Sequence, residues 1–318
     1  MAKNKGAAVG VIGLGSMGMG VARSLLRAGF KVHAFDVRRE ALRAFSRAGG
    51  IAAQSPGEVG ASAGIVIVLV VNAEQTDTVL FGHDGAAARM APGSIVISSA
   101  TVPPAYAELL AQRLAQQGLY AIDAPVSGGA ARAATGQLSI MGSGSSVAFR
   151  QAKSVLDAIA AKVYRLGEAP GVGSKVKMIN QLLAGVHIAA MSEAMALGIR
   201  AGVDPNVLYE VISNSAGASW MFQNRVPHIL AGDYTPLSAV NIFVKDLGIV
   251  LDSAKQASFP LPLTATAHQM FLMASAAGFG HEDDSAVVKV FQQISGIPLP
   301  AKRTRAPRKV AGRSAKRK

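Results

Sequence analysis

The residues best placed to do chemistry are a lysine, an asparagine and a glutamine set in an otherwise apolar stretch. They occur in Gly171-Val172-Gly173-Ser174-Lys175-Val176-Lys177-Met178-Ile179-Asn180-Gln181. Positions 177, 180, 181 and 184 repeat at i, i+3, i+4 and i+7, so Lys177, Asn180 and Gln181 share one face of a helix. Met178, Ile179, Leu182, Leu183 and Val186 lie among them. A lysine partly withdrawn from water in that setting has a lowered pKa and suits proton transfer. Read alone, the same lysine is a surface residue on the solvated side of its helix.

Two more stretches carry polar groups at useful places. Asp123-Ala124-Pro125-Val126-Ser127-Gly128-Gly129 follows an apolar run. Ser127 offers a hydroxyl, and Gly128 and Gly129 offer exposed N–H groups, together a seat for a carboxylate. Without other context it is a plain Ser-Gly-Gly turn. In Ile242-Phe243-Val244-Lys245-Asp246-Leu247, Lys245 could reach across a cleft to a bound molecule, or pair with Asp246 on the surface.

A fourth stretch opens the chain. The apolar run 7–12 passes directly into Gly13-Leu14-Gly15-Ser16-Met17-Gly18, and a helical pattern follows through Val21, Leu25 and Leu26. In Gly-x-G-x-x-Gly after a strand, the first glycine permits the turn, the second admits a pyrophosphate and the third lets helix and strand pack. The helix start then presents free N–H groups to phosphate. A second apolar run, 31–35, ends in Asp36, 18 residues after Gly18. A carboxylate there can accept hydrogen bonds from ribose hydroxyls and would repel a 2′-phosphate, which favours NAD over NADP. Arg38 and Arg39 weaken that preference, and Asp36 could instead cap the helix that begins near Arg39.

Composition narrows the remaining possibilities. The chain has 318 residues, half of them hydrophobic, with 34 glycines and no cysteine. Disulfides, thiolate metal sites and cysteine nucleophiles are excluded. The histidines at 33, 83, 187, 228, 268 and 281 show no ligand spacing, so no metal is expected. The longest purely apolar run, 65–71, is too short to span a bilayer. The N-terminus moves straight into the first strand and leaves no room for a signal peptide, so a cytoplasmic protein without membrane association is expected. The net charge is +13, but nine basic residues and no acid fall between Pro298 and Lys318. That tail has little to bury and reads as disordered, with nucleic acid at most a weak, nonspecific contact.

Elements must hold these stretches in place. Arg39–Arg47 reads as a helix, 65–71 as a strand buried on both faces and 94–98 as another strand. Pro103 or Pro104 opens a helix to Gln117, and 120–123, 137–141 and 162–165 read as further strands. This alternation predicts an α/β, doubly wound, largely parallel sheet of the Rossmann type. Ligands on such sheets sit beyond the carboxyl ends of strands. Chemistry is therefore expected at Gly13, Asp36, Val71-Asn72, Ser98 to Thr101 and Asp123 to Gly129. From Ser174 to Ala201 the pattern is helical without proline, a helix on the order of 40 Å long at about 1.5 Å per residue. It would join the sheet domain to an all-helical one, with helices at 206–214, 219–231, 237–257, 262–278 and 283–295. The expected divisions are 1–167, a dinucleotide-binding domain; 168–297, a helical substrate and dimerisation domain; and the tail, 298–318.

Taken together, Gly-Leu-Gly-Ser-Met-Gly (13–18), Asp-Ala-Pro-Val-Ser-Gly-Gly (123–129), Gly-x-Gly-x-x-x-Lys-x-x-Asn (171–180) and Lys-Asp-Leu (245–247) resemble the β-hydroxyacid dehydrogenase family. That family includes 3-hydroxyisobutyrate dehydrogenase, tartronate semialdehyde reductase and 6-phosphogluconate dehydrogenase, and the resemblance covers residues 7 to about 297. Leu69-Val70-Val71-Asn72-Ala73, Ser219-Trp220-Met221, Gly232-Asp233-Tyr234-Thr235-Pro236 and the stretch 242–252 are similar to its L-threonate dehydrogenase branch. The resemblance implies an NAD-dependent enzyme acting on a small hydroxy acid and assembling as a homodimer or homotetramer. It implies Lys177 as catalytic acid and base, and Ser127, Gly128, Gly129 and Asn180 as substrate-binding residues. For the cofactor it implies residues 13–18 with Asp36, Val71 and Asn72, Thr101 at the nicotinamide end, and Lys245 closing from the helical domain. The implied reaction is oxidation of L-threonate, with 3-hydroxyisobutyrate or tartronate semialdehyde chemistry as the alternative. A rival of another class is a non-catalytic module tethered to nucleic acid by its tail. Many relatives have Leu-Pro where this chain has Val70-Val71, which bears only on the local loop.

Overall fold

The protein is described by a computed structural model over residues 6–301. Among these residues nine strands form one sheet: β1 (Ala8–Ile12), β2 (Lys31–Phe35), β3 (Ile51–Ala52), β4 (Ile65–Val68), β5 (Ile95–Ser98), β6 (Tyr120–Asp123), β7 (Val126–Ser127), β8 (Leu138–Gly144) and β9 (Ala160–Gly167). Helices α1 (Ser16–Arg27), α2 (Arg39–Arg47), α3 (Pro56–Ser62), α4 (Ala73–Phe81), α5 (Pro104–Ala115), α6 (Gly129–Thr135) and α7 (Ser146–Ile159) connect them. The strand order is β3-β2-β1-β4-β5-β6-β8-β7, with β9 on the other side of β8. From β3 to β6 every pairing is parallel; β8 runs antiparallel to β6 and β7. Order reverses between β1 and β4, the switch point at which ligands of doubly wound sheets bind.

The pairings place the strand ends in line. Phe35, Ile12, Val68, Ser98 and Asp123 are register partners across β2, β1, β4, β5 and β6, and each is the last residue of its strand. Every strand-end segment singled out in the sequence therefore leaves the sheet at one edge. Two apolar clusters cover the two faces. Val11, Leu25, Ile97, Ile140 and Leu156 belong to one, and Val59, Val68, Leu80, Val96 and Leu114 to the other. Central strands buried on both faces read as unbroken apolar runs, as β4 and β5 do.

The strand expected over 65–71 ends at Val68. Leu69 still donates its N–H to the Ile12 carbonyl at 2.8 Å, but Val71 is turned out to solvent and Asn72 caps α4. An apolar run continued past the end of its strand because Leu69 and Val70 pack as loop residues against the neighbouring clusters.

The second half is helical: α8 (Val172–Arg200), α9 (Pro205–Ser213), α10 (Trp220–Ala231), α11 (Val240–Gln256), α12 (Pro262–Ala274) and α13 (Val288–Ser295). Asp204 caps α9 through the N–H groups of Asn206 and Val207, with Pro205 in the first turn, and Gly202 ends α8 at φ +82°. The helix expected over 262–278 stops at Ala274. A π-type turn follows, broken where Gly278 takes φ +90°. Ile188, Met191 and Met195 of α8 join Phe243, Leu247 and Phe271 in the second core. α8 is the one described helix long and apolar enough to cross a membrane, at mean hydropathy 1.6. Its apolar length is used here in packing against α10, α11, α12 and α13.

The expected tail divides. Residues 302–318 lie outside the described residues, whereas Ile297 is buried and Leu299 packs on the helical core. The folded body therefore runs a few residues beyond 297.

Candidate active site

At the end of β1 the glycines meet three different demands. Gly13 sits at φ +96°, and a Cβ there would lie 2.5 Å from the Leu69 carbonyl oxygen. A Cβ on Gly18 would lie 1.9 Å from the Gly13 oxygen, so only glycine lets α1 start this close to its strand. Around Gly15 a Cβ would meet nothing within 4 Å. No side chain caps α1, and its first turn holds no acid. Open backbone beside an uncapped helix start fits the pyrophosphate of a dinucleotide. Leu14 is buried, Met17 packs partly on the core and Ser16 faces solvent.

Asp36 is buried beside this turn. Its Oδ2 accepts the Leu14 N–H at 2.7 Å, and its Oδ1 accepts the Arg38 N–H at 2.8 Å and Arg38 Nε at 3.0 Å. Burial pushes the carboxyl pKa up, but the Arg38 side chain and the two backbone donors outweigh it and hold the group below the usual value. Asp36 does not cap α2; Arg38 occupies that position without a side-chain bond. The guanidinium of Arg38 also donates to the Leu14 carbonyl at 3.0 Å, lying across the turn.

Beyond β4, Asn72 accepts the Gln75 N–H at 2.8 Å and Gln75 Oε1 accepts the Val71 N–H at 3.0 Å, a reciprocal cap that fixes the loop. Beyond β5, the Thr101 carbonyl accepts Lys245 Nζ at 3.1 Å, a bond from the helical half to the sheet edge.

Beyond β6 the chain makes the Ser127 loop. Asp123 pairs with Ser143, Val126 with Ile140 and Ser127 with Ser139, so β6 and β7 keep one unbroken register along β8 across Ala124-Pro125. The turn into α6 uses Gly128 at φ +128° and Gly129 at φ +72°. The Ser127 hydroxyl has no partner among the described residues and lines a cavity shared with Asn180 of α8.

Asp123 has a role that sequence reading missed. Its Oδ2 accepts the N–H groups of Gly171 at 2.9 Å and Ser174 at 2.8 Å, and its Oδ1 accepts the Ser174 hydroxyl at 2.7 Å. The hydroxyl of Ser143 accepts the Gly173 N–H at 3.0 Å. A Cβ on Gly173 would sit 2.3 Å from the Met141 oxygen. The glycines at 171 and 173 thus let the first turn of α8 dock on the sheet, and Asp123 supplies the negative charge that this turn lacks in its own sequence. Burial raises the carboxyl pKa of Asp123 against the pull of these donors. The available signal was an acid at a strand end and a long helix with no acid of its own in its first turn.

One turn further, Lys177 is 7% exposed. Burial pulls its pKa down to about 8; Asp246 opposes the shift and Lys245 adds to it. Asn180 Nδ2 donates to Gln181 Oε1 at 3.0 Å, and Gln181 Nε2 donates to Asp246 Oδ2 at 2.5 Å. The other Asp246 oxygen pairs with Lys245. The structure therefore brings Lys177, Asn180, Gln181, Lys245 and Asp246 together where α8 meets α11, and Thr101 joins them through Lys245. Gly13–Gly18, Asp36 and the Val71-Asn72 loop stand further along the same strand-end row. Asp246 is not the exposed charge it could have been; it is 1% exposed. The signal was its place beside the apolar positions 243, 247 and 250 of one helix face. Lys175, by contrast, is exposed and pairs with Glu108 at 3.0 Å.

The sequence profile of the NAD binding domain of 6-phosphogluconate dehydrogenase matches residues 8–167. That of the NAD-binding region of NADP-dependent 3-hydroxyisobutyrate dehydrogenase matches 171–291. The chain is 67% identical to an L-threonate dehydrogenase of Cupriavidus necator over 294 residues, 92% of this chain and 98% of that one. It is 53% identical to an L-threonate dehydrogenase of Pectobacterium atrosepticum over 95% of this chain and 99% of that one. A crystal structure of 3-hydroxyisobutyrate dehydrogenase from Salmonella typhimurium matches with TM-score 0.85 at 53% identity, covering 89% of this chain and 99% of that one. A glycine turn after β1, a strand-end row and a buried lysine where a doubly wound sheet meets a helical domain thus coincide with these likenesses, and the chain belongs to the NAD-binding dehydrogenase family of 6-phosphogluconate and 3-hydroxyisobutyrate dehydrogenases.

Proposed function

We propose that this dehydrogenase oxidises L-threonate to 2-dehydro-L-erythronate with NAD. The observation that carries the chemistry is Lys177, withdrawn from water with a pKa near 8 and one turn from Asn180. The substrate class follows the 67% identity to the Cupriavidus necator enzyme. NAD, when bound, accepts hydride from the carbinol carbon. Ser127, with the Gly128 and Gly129 backbone, holds the substrate carboxylate. Asn180 orients the hydroxyl, and neutral Lys177 removes its proton as the carbon–hydrogen bond breaks. In the reverse direction the ammonium of Lys177 returns that proton and stabilises charge on the carbonyl oxygen. Lys245 and Thr101 would hold the nicotinamide end from the two domains, and closure of the two domains would complete the site. Asp36 reads the ribose hydroxyls and supports NAD over NADP.

The likeness to the Salmonella typhimurium structure favours a second reading, oxidation of 3-hydroxyisobutyrate. Steady-state assays of L-threonate, 3-hydroxyisobutyrate and tartronate semialdehyde, each with NAD and NADP forms, separate the readings. L-threonate with NAD should give the highest kcat/KM. A higher value for either of the other two would overturn the assignment.

A further inference from the structure

The cavity beside Ser127 carries more hydroxyls than a carboxylate seat requires. It has a volume of about 360 Å³ and is lined by Ser127, Ser139, Met141, Tyr164, Val176 and Asn180 among others. The sheet register explains the lining. Ser127 pairs with Ser139, Met141 follows Ser139 by two residues, and Met141 pairs with Tyr164 of β9. Paired and alternate residues share one face of a sheet, so these four side chains point the same way. Val176 and Asn180, one helical turn apart on α8, form the facing wall. The hydroxyls of Ser127, Ser139 and Tyr164 have no hydrogen-bond partner among the described residues. Met141 between them and Val176 on the facing wall are apolar.

We propose that Ser139 and Tyr164 form a subsite for the hydroxyl-bearing tail of the substrate, making them specificity-determining residues. This rests on the reading of Ser127 and Asn180 as the carboxylate and hydroxyl contacts. Lys177 does not line this cavity, but Asn180 does and lies one turn from it on α8, so an acid with C1 at Ser127 and C2 at Asn180 would extend its remaining carbons along the wall that carries Ser139 and Tyr164. A short polyhydroxy acid presents two further hydroxyls there, each a donor and an acceptor, as the protein hydroxyls are. An acid with an alkyl tail would offer no partner to the half-buried Ser139 hydroxyl, and would cover Tyr164, 48% exposed in the free protein, without giving it a bond. Sites built to bond a substrate hydroxyl discriminate strongly against the analogue that lacks it. Asn180 and Ser127 recognise features common to all hydroxy acids; Ser139 and Tyr164 would read the tail.

The test compares L-threonate with the 2-hydroxybutyrate of the same configuration at C2, which has the same carbon chain without the tail hydroxyls. Wild type, Ser139→Ala, Tyr164→Phe and the double variant are assayed with NAD. The readout is the ratio of the two kcat/KM values within each preparation, which is independent of the fraction of folded enzyme. Each single change should lower the ratio by about tenfold, and the double change by more. Ratios within twofold of wild type in all three variants would overturn the subsite. If wild type turns over another polyhydroxy acid in place of L-threonate, the substrate assignment fails and the same variants are read with that acid and its deoxy analogue. If wild type prefers 2-hydroxybutyrate itself, the subsite is overturned whatever the variants do.

Discussion

A buried ammonium costs free energy, and at Lys177 that cost places the pKa at about 8, where the side chain exchanges its proton readily. In the proposed role as proton acceptor, Lys177 must be the neutral amine for oxidation. The kcat of oxidation should therefore rise about tenfold per pH unit below that pKa and level off above it, while reduction, which needs the ammonium, should fall over the same range. Lys177→Ala should lower kcat by roughly 10²–10⁴-fold with NADH affinity, measured by fluorescence titration, nearly unchanged. Lys177→Arg should rescue little, because guanidinium keeps its proton near neutrality. Lys175→Ala, at an exposed lysine, is the control and should turn over normally. The shift also has a sign for stability. Below pH 8 folded and unfolded states both carry the charge, and burying it destabilises in full; the penalty fades as pH rises from 8 toward the unfolded value near 10.4. Asp36 makes a separate prediction. The Leu14 and Arg38 N–H groups and the Arg38 guanidinium keep it ionised, so kcat/KM should be higher with NAD, and Asp36→Asn should narrow the gap by freeing Arg38 for a 2′-phosphate. A wild-type preference for NADP would remove that argument.

At the scale of elements, the orientation of Lys177 depends on how α8 begins. Asp123 ties the helix start to the end of β6 and Ser143 ties it to β8, so the lysine one turn later inherits the geometry of the strand-end row. Asp123→Asn turns one acceptor oxygen into a donor facing N–H groups and should destabilise by about 1–3 kcal/mol in urea titration. Turnover should fall at unchanged NADH affinity, since the dinucleotide turn lies elsewhere. An Asp123→Asn protein as stable and as active as wild type would show that the helix start is held by something else. This dependence was illegible in the sequence: Asp123 and Ser174 are 51 residues apart, and no periodicity joins them. What was legible is local. Helical spacing put Lys177, Asn180 and Gln181 on one face, the glycine pattern marked the turn after β1, and alternation gave the strand ends. The early stop of β4 and the break at Gly278 escaped because apolar spacing continues through both. Asp246 escaped as a buried group because its neighbour in sequence, Lys245, suggests an exposed charge pair.

On the scale of the whole molecule, α8 docks on the sheet through polar contacts of its first turn and buries the rest of its length in the helical core, and the candidate site lies at that junction. Lys245 is the side chain that reaches from the helical half to the Thr101 carbonyl at the sheet edge. It also stands close enough to Lys177 to depress its pKa, while Asp246 does the opposite. Lys245→Ala should therefore act twice. Losing the bond to Thr101 should raise KM for NAD if, as proposed, these two residues hold the nicotinamide end. Losing the positive charge should let the Lys177 pKa rise, so that less of the neutral amine is present near pH 7. The kcat for oxidation should then drop at neutral pH and recover as pH is raised, with the midpoint of the profile displaced to higher pH than in wild type. Lys245→Met removes the charge but keeps most of the side-chain bulk, and should show the same displacement. A variant whose KM rises while the midpoint stays in place would reduce Lys245 to a mechanical clamp. If the midpoint moves while KM is unchanged, Lys245 acts through charge alone and the bond to Thr101 contributes nothing to holding the cofactor.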